Sequence, residues 1–131
     1  MNSNYLHSDI TGKIIKAFFN VYNTLGHGFL EKVYENAMMI ELKKYDLDCK
    51  KQVPLTVYYD DVKVGDYFAD IIVDNKVIIE LKASKTLVPE HEAQLVNYLR
   101  ATDIEVGLLL NFGKKAEQKR RVLTSEYKKY N

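Results

Sequence analysis

The sequence has 131 residues, 47% of them hydrophobic and 28% charged, with a net charge of +1 and one cysteine. That length suits a single domain with one core, and the lone Cys49 excludes an internal disulfide or a cysteine-rich zinc site, in keeping with a reducing cytoplasm. No basic stretch leads into an apolar run at the N-terminus and no segment approaches the roughly 18 apolar residues of a membrane span, so the sequence predicts a soluble cytoplasmic protein with no membrane partner.

Ile10, Ile14, Phe18, Val21, Tyr22 and Leu25 recur at helical spacing and predict an amphipathic helix over residues 9–25, with Ser8 as its cap. Gly26-His27-Gly28 breaks it, and Leu30, Val33, Ala37, Met38 and Leu42 predict a second helix over 30–45. Residues 46–51 are polar and read as a loop. From Gln52 the period changes to two: Val53, Leu55, Val57 and Tyr59 predict a strand that ends at Asp60-Asp61. A second extended stretch, 62–73, is interrupted at Gly65-Asp66. Asp74-Asn75-Lys76 is a turn, and Val77 to Lys82 is a third strand, which makes an antiparallel meander. Pro89 suits the first position of a helix running to about Ala101, with Glu90 and Glu92 at its positive end. Ile104 to Leu110 is nearly all apolar, as a strand covered on both faces should be. Strand, helix, strand implies a right-handed crossover and a parallel pair.

Residues 114–129 carry seven basic side chains against Glu117 and Glu126. They read as a last helix, either a solvated face or a tail able to track phosphates. The predicted fold is α/β, one domain over 1–131 with its core at about 8–125: a mixed four-stranded sheet flanked by helices, in the order αα-βββ-α-β-α.

Chemistry concentrates at Glu80-Leu81-Lys82. Residues i and i+2 of a strand face the same side, so Glu80 and Lys82 project together. Alone, that pattern is equally a surface ion pair, which adds little to stability. Asp70 alters the argument. If Asp74-Asn75-Lys76 is a three-residue loop, Val73 pairs with Val77 and Asp70 falls opposite Glu80, with the two Cβ atoms about 5 Å apart. A two-residue turn would put them on opposite faces unless a bulge restored the register. Opposed carboxylates destabilise a sheet unless something neutralises them, and a hard divalent cation with oxygen ligands does so. Lys82 beside such an ion would orient an attacking water and stabilise charge growing on phosphoryl oxygens.

Asp70 followed by Glu80-Leu81-Lys82 resembles the signature of the PD-(D/E)XK nucleases, with Ala69 where that motif has proline. Gln94-Leu95-Val96-Asn97-Tyr98 resembles the Gln-x-x-x-Tyr motif of the RecB-like and lambda-exonuclease-like branch. Gly28-Phe29-Leu30-Glu31-Lys32-Val33-Tyr34 is similar to the element that names the GxxExxY family within that superfamily. The resemblance implies a restriction-endonuclease-like core and a Mg²⁺ or Mn²⁺ ion held by Asp70, Glu80 and the backbone carbonyl of Leu81, with Glu31 completing the set directly or through water. Lys82 would position the attacking water. Gln94 and Tyr98 would steady the site and contact the substrate strand, with Tyr34, Lys119, Arg120 and Arg121 also on the substrate side. Glu35, one turn beyond Glu31, is a weaker candidate for the same part and reads first as a solvated helix residue.

The implied function is metal-dependent hydrolysis of nucleic acid, of DNA in repair or defence. The alternative is a nucleic-acid-binding or accessory module with a vestigial site. Small size and a near-neutral charge point to a homodimer or a partner protein as an aid to binding.

Overall fold

Eight elements follow one another in the computed structural model, which describes residues 6–128. Helices α1 (Ser8–Leu25) and α2 (Glu31–Lys43) precede strands β1 (Cys49–Tyr59), β2 (Val62–Val73) and β3 (Val77–Lys82); helix α3 (Pro89–Arg100) then leads to β4 (Val106–Phe112) and β5 (Ala116–Val122). The strands form one sheet in the order β1-β2-β3-β4-β5. β3 and β4 are parallel, joined through α3, and all other neighbours are antiparallel.

The sheet is the middle of three layers. On one face α1 and α2 bury Ile14, Phe18, Tyr34, Met38 and Leu42 against Ile71, Ile79, Leu81, Leu108 and Leu110. On the other, Leu95, Tyr98 and Leu99 of α3 pack on Ile72, Ile78 and Leu109. Gly107 lets α3 sit close: a Cβ there would lie 2.7 Å from Leu95 Cδ1. Every residue of β4 is buried, as its apolar run predicts.

The C-terminal prediction is corrected. Residues 116–122 are a fifth strand instead of a helix, so the sheet has five strands and the order is αα-βββ-α-ββ. The reason lies in β4. A fully buried strand with one unpaired edge would leave its backbone donors and acceptors unsatisfied, and β5 supplies the partners. Its charges fit because an edge strand exposes half its side chains.

Two smaller corrections concern element ends. Residues 49–51 belong to β1, with Cys49 opposite Val73 and Lys51 opposite Ile71. Ser8 is the first residue of α1 and not its cap; the flanking residue is His7, at φ 55, and its carbonyl accepts from the Thr11 amide. β2 runs on through Gly65-Asp66, and the irregularity falls beside them: Val57 pairs with Gly65 and Tyr58 with Lys63, which leaves Val64 of β2 unpaired. Of the predicted basic tail, Lys129 lies outside the described residues. No helix among the described residues is long and apolar enough to cross a membrane.

Candidate active site

The turn between β2 and β3 sets the geometry. Asp74 and Asn75 both adopt left-handed backbone (φ 52 each) and Lys76 N donates to Val73 O at 2.9 Å. Asn and Asp tolerate this conformation better than most residues. Lys76 adds one residue, so Val73 stands opposite Val77, Ile72 opposite Ile78 and Ile71 opposite Ile79. Continued by one pair, that register brings Asp70 to Glu80.

At this point the backbone ladder stops and side chains take its place. Asp70 N donates to Glu80 Oε1 at 3.1 Å, and Leu81 N donates to Asp70 Oδ2 at 2.8 Å. Each carboxylate thus accepts from the partner strand's backbone. On its other side β3 keeps regular pairing with β4, Glu80 with Leu109 and Lys82 with Asn111. Glu80 is only 4% exposed. Burial, and then the charge of Asp70, push its carboxyl up to about 8, while the backbone amide of Asp70 and the charge of Lys82 act in the opposite direction. Among the described residues no carboxylate lies within ion-pair distance of the Lys82 ammonium. Asn111 fixes the chain just beyond it: its amide oxygen accepts from Ser84 N at 2.9 Å and its amide nitrogen donates to Ser84 O at 3.0 Å.

On the α2 side a cavity of about 300 Å³ opens, lined by Glu31, Lys32, Glu35, Gln52, Asp70 and Leu81. Glu31 is exposed at its border, whereas Glu35 is 4% exposed and is no solvated residue. Glu35 accepts from Lys32 Nζ at 3.0 Å and from Gln52 Nε2 at 2.7 Å. The same Gln52 amide reaches Asp70 Oδ1 at 3.4 Å. Gln52 has φ 51, and the β1–β2 pairing passes from Lys51–Ile71 to Val53–Ala69 without a pair at Gln52 and Asp70. Ala69 and Ile72 both pack toward α3, so strict alternation fails across Asp70. This local break frees Asp70 from the ladder with β1. Gln52 is the residue that sequence reasoning missed, and Glu35 the one it ranked below Glu31. The left-handed backbone of Gln52 has no signature in its residue type, and Glu31 and Glu35 are equivalent by helical spacing.

On the α3 side Gln94 Nε2 donates to the Tyr98 hydroxyl at 2.8 Å. Tyr98 is 6% exposed, and its pKa is raised by burial and then by the charge of Glu80, with a smaller push from Asp70. The predicted pair is thus joined to each other by a hydrogen bond, and Tyr98 feels the charge of both carboxylates.

Tyr34 does not. It is fully buried, stacked on Phe112 at 4.1 Å, and its hydroxyl donates to Gly26 O and accepts from Phe29 N. It holds the connection between the first two helices and has no surface for substrate. The basic run is also dispersed. β5 is two strands away from β3's carboxylate edge; Arg120 is tied to Leu6 O and Thr11 on α1, Arg121 pairs with Glu92 at 2.9 Å, and Lys119 is exposed and forms no ion pair among the described residues.

Among the described residues no three His, Cys, Asp or Glu side chains converge closely enough to hold a metal ion. Asp70 and Glu80 are nevertheless adjacent oxygen donors, with Glu31 and Glu35 facing Asp70 across the cavity. Such a set fits a hard divalent cation, which commonly takes one or two carboxylates and completes its shell with water and substrate.

The family model of the PD-(D/E)XK nuclease superfamily matches residues 8–122. No curated protein matches the chain. A solved structure titled "Crystal structure of SSO0001" superposes with a TM-score of 0.58 at 20% identity, over 72% of this chain and 50% of that one. This chain thus spans about half the length of that protein, and the likeness is one of fold. With the family match covering nearly every element and taking in Asp70, Glu80, Lys82, Gln94 and Tyr98, the chain belongs to the PD-(D/E)XK nuclease superfamily.

Proposed function

We propose that the chain is a metal-dependent nuclease that hydrolyses phosphodiester bonds of DNA, in repair or defence, and that it falls in the GxxExxY family near the RecB-like branch. The observation that carries this reading is the Asp70–Glu80 pair, two carboxylates joined at the parting of two strands with Glu80 held back from ionising. A purely structural pair would gain nothing from that arrangement, since a buried carboxylate beside another is costly.

Asp70, Glu80 and the Leu81 carbonyl would hold Mg²⁺ or Mn²⁺, with Glu31 or Glu35 completing the set across the cavity. When bound, the ion supplies Lewis-acid polarisation of the phosphoryl group and a water that ionises more readily. The chain's own residues do the rest. Lys82 shares a strand face with Glu80, and its ammonium donates hydrogen bonds to the incoming water and to the phosphoryl oxygens as their charge grows. Gln94 fixes the hydroxyl of Tyr98 beside the pair. Asn111 anchors the chain that follows Lys82, which limits drift of the ammonium. We take residues 8–125 to act as one domain in the cytoplasm, with a second copy or a partner protein adding phosphate contacts.

A non-catalytic nucleic-acid-binding module is the second reading, in which Asp70 and Glu80 serve only as acceptors for the backbone amides of Leu81 and Asp70. Cleavage of linear, circular and single-stranded DNA by wild type and Lys82→Ala, in Mg²⁺, Mn²⁺ or EDTA, separates the two. The nuclease cuts only with metal, and Lys82→Ala lowers the rate by roughly 10²- to 10³-fold. No cutting in any condition, with DNA affinity indifferent to metal, selects the binding module.

A further inference from the structure

β2 pairs with β3 over only three residues, Ile71 to Val73, but stays paired with β1 out to Val62. The β1–β2 hairpin therefore projects as a two-stranded arm beyond the sheet. Between this arm and α3 lies a groove of about 850 Å³. Tyr58, Tyr59 and Tyr67 border it from the arm, and Gln94, Asn97 and Tyr98 from the helix. Tyr58 is 65% and Tyr59 71% exposed, although they are successive residues of one strand. Val57 pairs with Gly65 and Tyr58 with Lys63, so Val64 is an extra residue on β2, and a bulge of this kind strengthens the local twist of the hairpin that carries both tyrosines. The rings of Tyr67 and Tyr98 stand 5.8 Å apart.

The chemistry of these walls selects an occupant. The charges on the lining are one Arg100 and one Glu90, which cancel. A duplex keeps its base faces stacked inside and presents phosphates and groove edges, so tyrosine rings find no face on it to stack against. Unpaired bases offer flat π faces and hydrogen-bonding edges. Tyrosine rings meet the first and the amides of Gln94 and Asn97 the second. The groove also borders the strand that carries Glu80: Tyr98 lines it and packs with Ile78 of β3, and Glu80 follows Ile78 by two residues on that same strand face.

We propose that the groove between the β1–β2 arm and α3 binds the unpaired bases of a single nucleic-acid strand and delivers that strand to Asp70 and Glu80. The delivery rests on the nuclease reading; the binding does not.

The test is fluorescence anisotropy in EDTA with a labelled oligothymidylate of about 12 nucleotides and a duplex of equal length, for wild type, Tyr58→Ala/Tyr59→Ala and Tyr58→Phe/Tyr59→Phe. Base–aromatic stacking sets the expected size. Wild type binds the single strand roughly tenfold tighter than the duplex, the alanine pair loses roughly tenfold or more of single-strand affinity, and the phenylalanine pair keeps it. Circular dichroism of each variant confirms that the exposed substitutions leave the fold intact. Equal affinity for the duplex, no binding of either probe, or an alanine pair that binds like wild type overturns the proposal. So does sedimentation that shows a dimer dissociated by the alanine pair, since the groove would then hold a second copy. EDTA separates the two readings: single-strand binding without any metal-dependent cutting sinks the nuclease and leaves the groove, and Lys82-dependent cutting with unaltered binding by the alanine pair does the reverse.

Discussion

Burial and the neighbouring Asp70 push the Glu80 carboxyl up to about 8, above its ordinary 4.5, so folding favours the neutral form of this side chain. A carboxyl raised on folding contributes stability that is complete below about 4.5 and is lost as pH rises through about 8. The metal-free protein in EDTA is therefore expected to melt at progressively lower temperature between those limits, by an amount on the order of a few kcal/mol. Glu80→Gln keeps the hydrogen-bonding shape without the charge and should flatten the profile; calorimetry across that range would expose a wild type whose melting temperature does not change. Gln52 allows a second measurement. Its amide donates to the buried Glu35, so Gln52→Ala should cost about 1–3 kcal/mol by leaving that acceptor without the bond. Gln52→Gly should cost less, because glycine accepts φ 51 without strain. Equal urea midpoints for the two variants would refute the backbone part of this account. At this scale the sequence shows what its periods encode. Asp70, Glu80 and Lys82 could be placed because a strand has period two and the loop length fixes the register. Glu35 could not be told from Glu31, since only the docking of α2 on the sheet decides which of them is buried.

Helix α3 and strand β4 meet through Leu95 and Gly107, and their fit leaves no room for a methyl group. Three Leu95 side-chain atoms would lie within 3.1 Å of an added Cβ, and Leu95 itself is fully buried. Gly107→Ala is thus expected to destabilise the fold by about 1–3 kcal/mol through overpacking, seen as a lower urea midpoint. A gain in stability would mean that the helix can lift away at no cost. Apart from their ends, most elements were legible because their apolar residues repeat at 3.6 or at 2, and Pro89 marked the start of α3 in advance. β5 was hidden for the opposite reason. Ala116 to Val122 holds three consecutive basic residues and no apolar alternation, so its strand state comes from the unpaired edge of β4 and not from its own side chains. Tyr34 misled in a related way. A tyrosine at i+3 from a carboxylate suggests a shared functional face, but the helix turns that ring onto Phe112.

Across the molecule, the layered order of helices and sheet followed from the sequence, whereas the arm and its groove did not, because strand periodicity says nothing about how far a hairpin outruns its sheet. The carboxylates lie where β2 and β3 part, with α2 on one side and α3 on the other, so the site draws on elements from both halves of the chain. The clasp of Asn111 on Ser84 has a consequence in time. Strand β3 receives its parallel partner only from residues 106–112, and the segment after Lys82 is fastened only once Asn111 is in place. Chains emerge from the ribosome N-terminus first, so the β2–β3 turn that brings Asp70 to Glu80 is synthesised before β4 can cover the open edge of β3. A nascent chain stopped short of β4 carries Asp70, Glu80 and Lys82 but lacks the parallel partner of β3 and the bonds that Asn111 makes to Ser84. The last part of the site to be secured is thus the segment that follows Lys82, and its fastening waits on a residue almost thirty positions further along the chain.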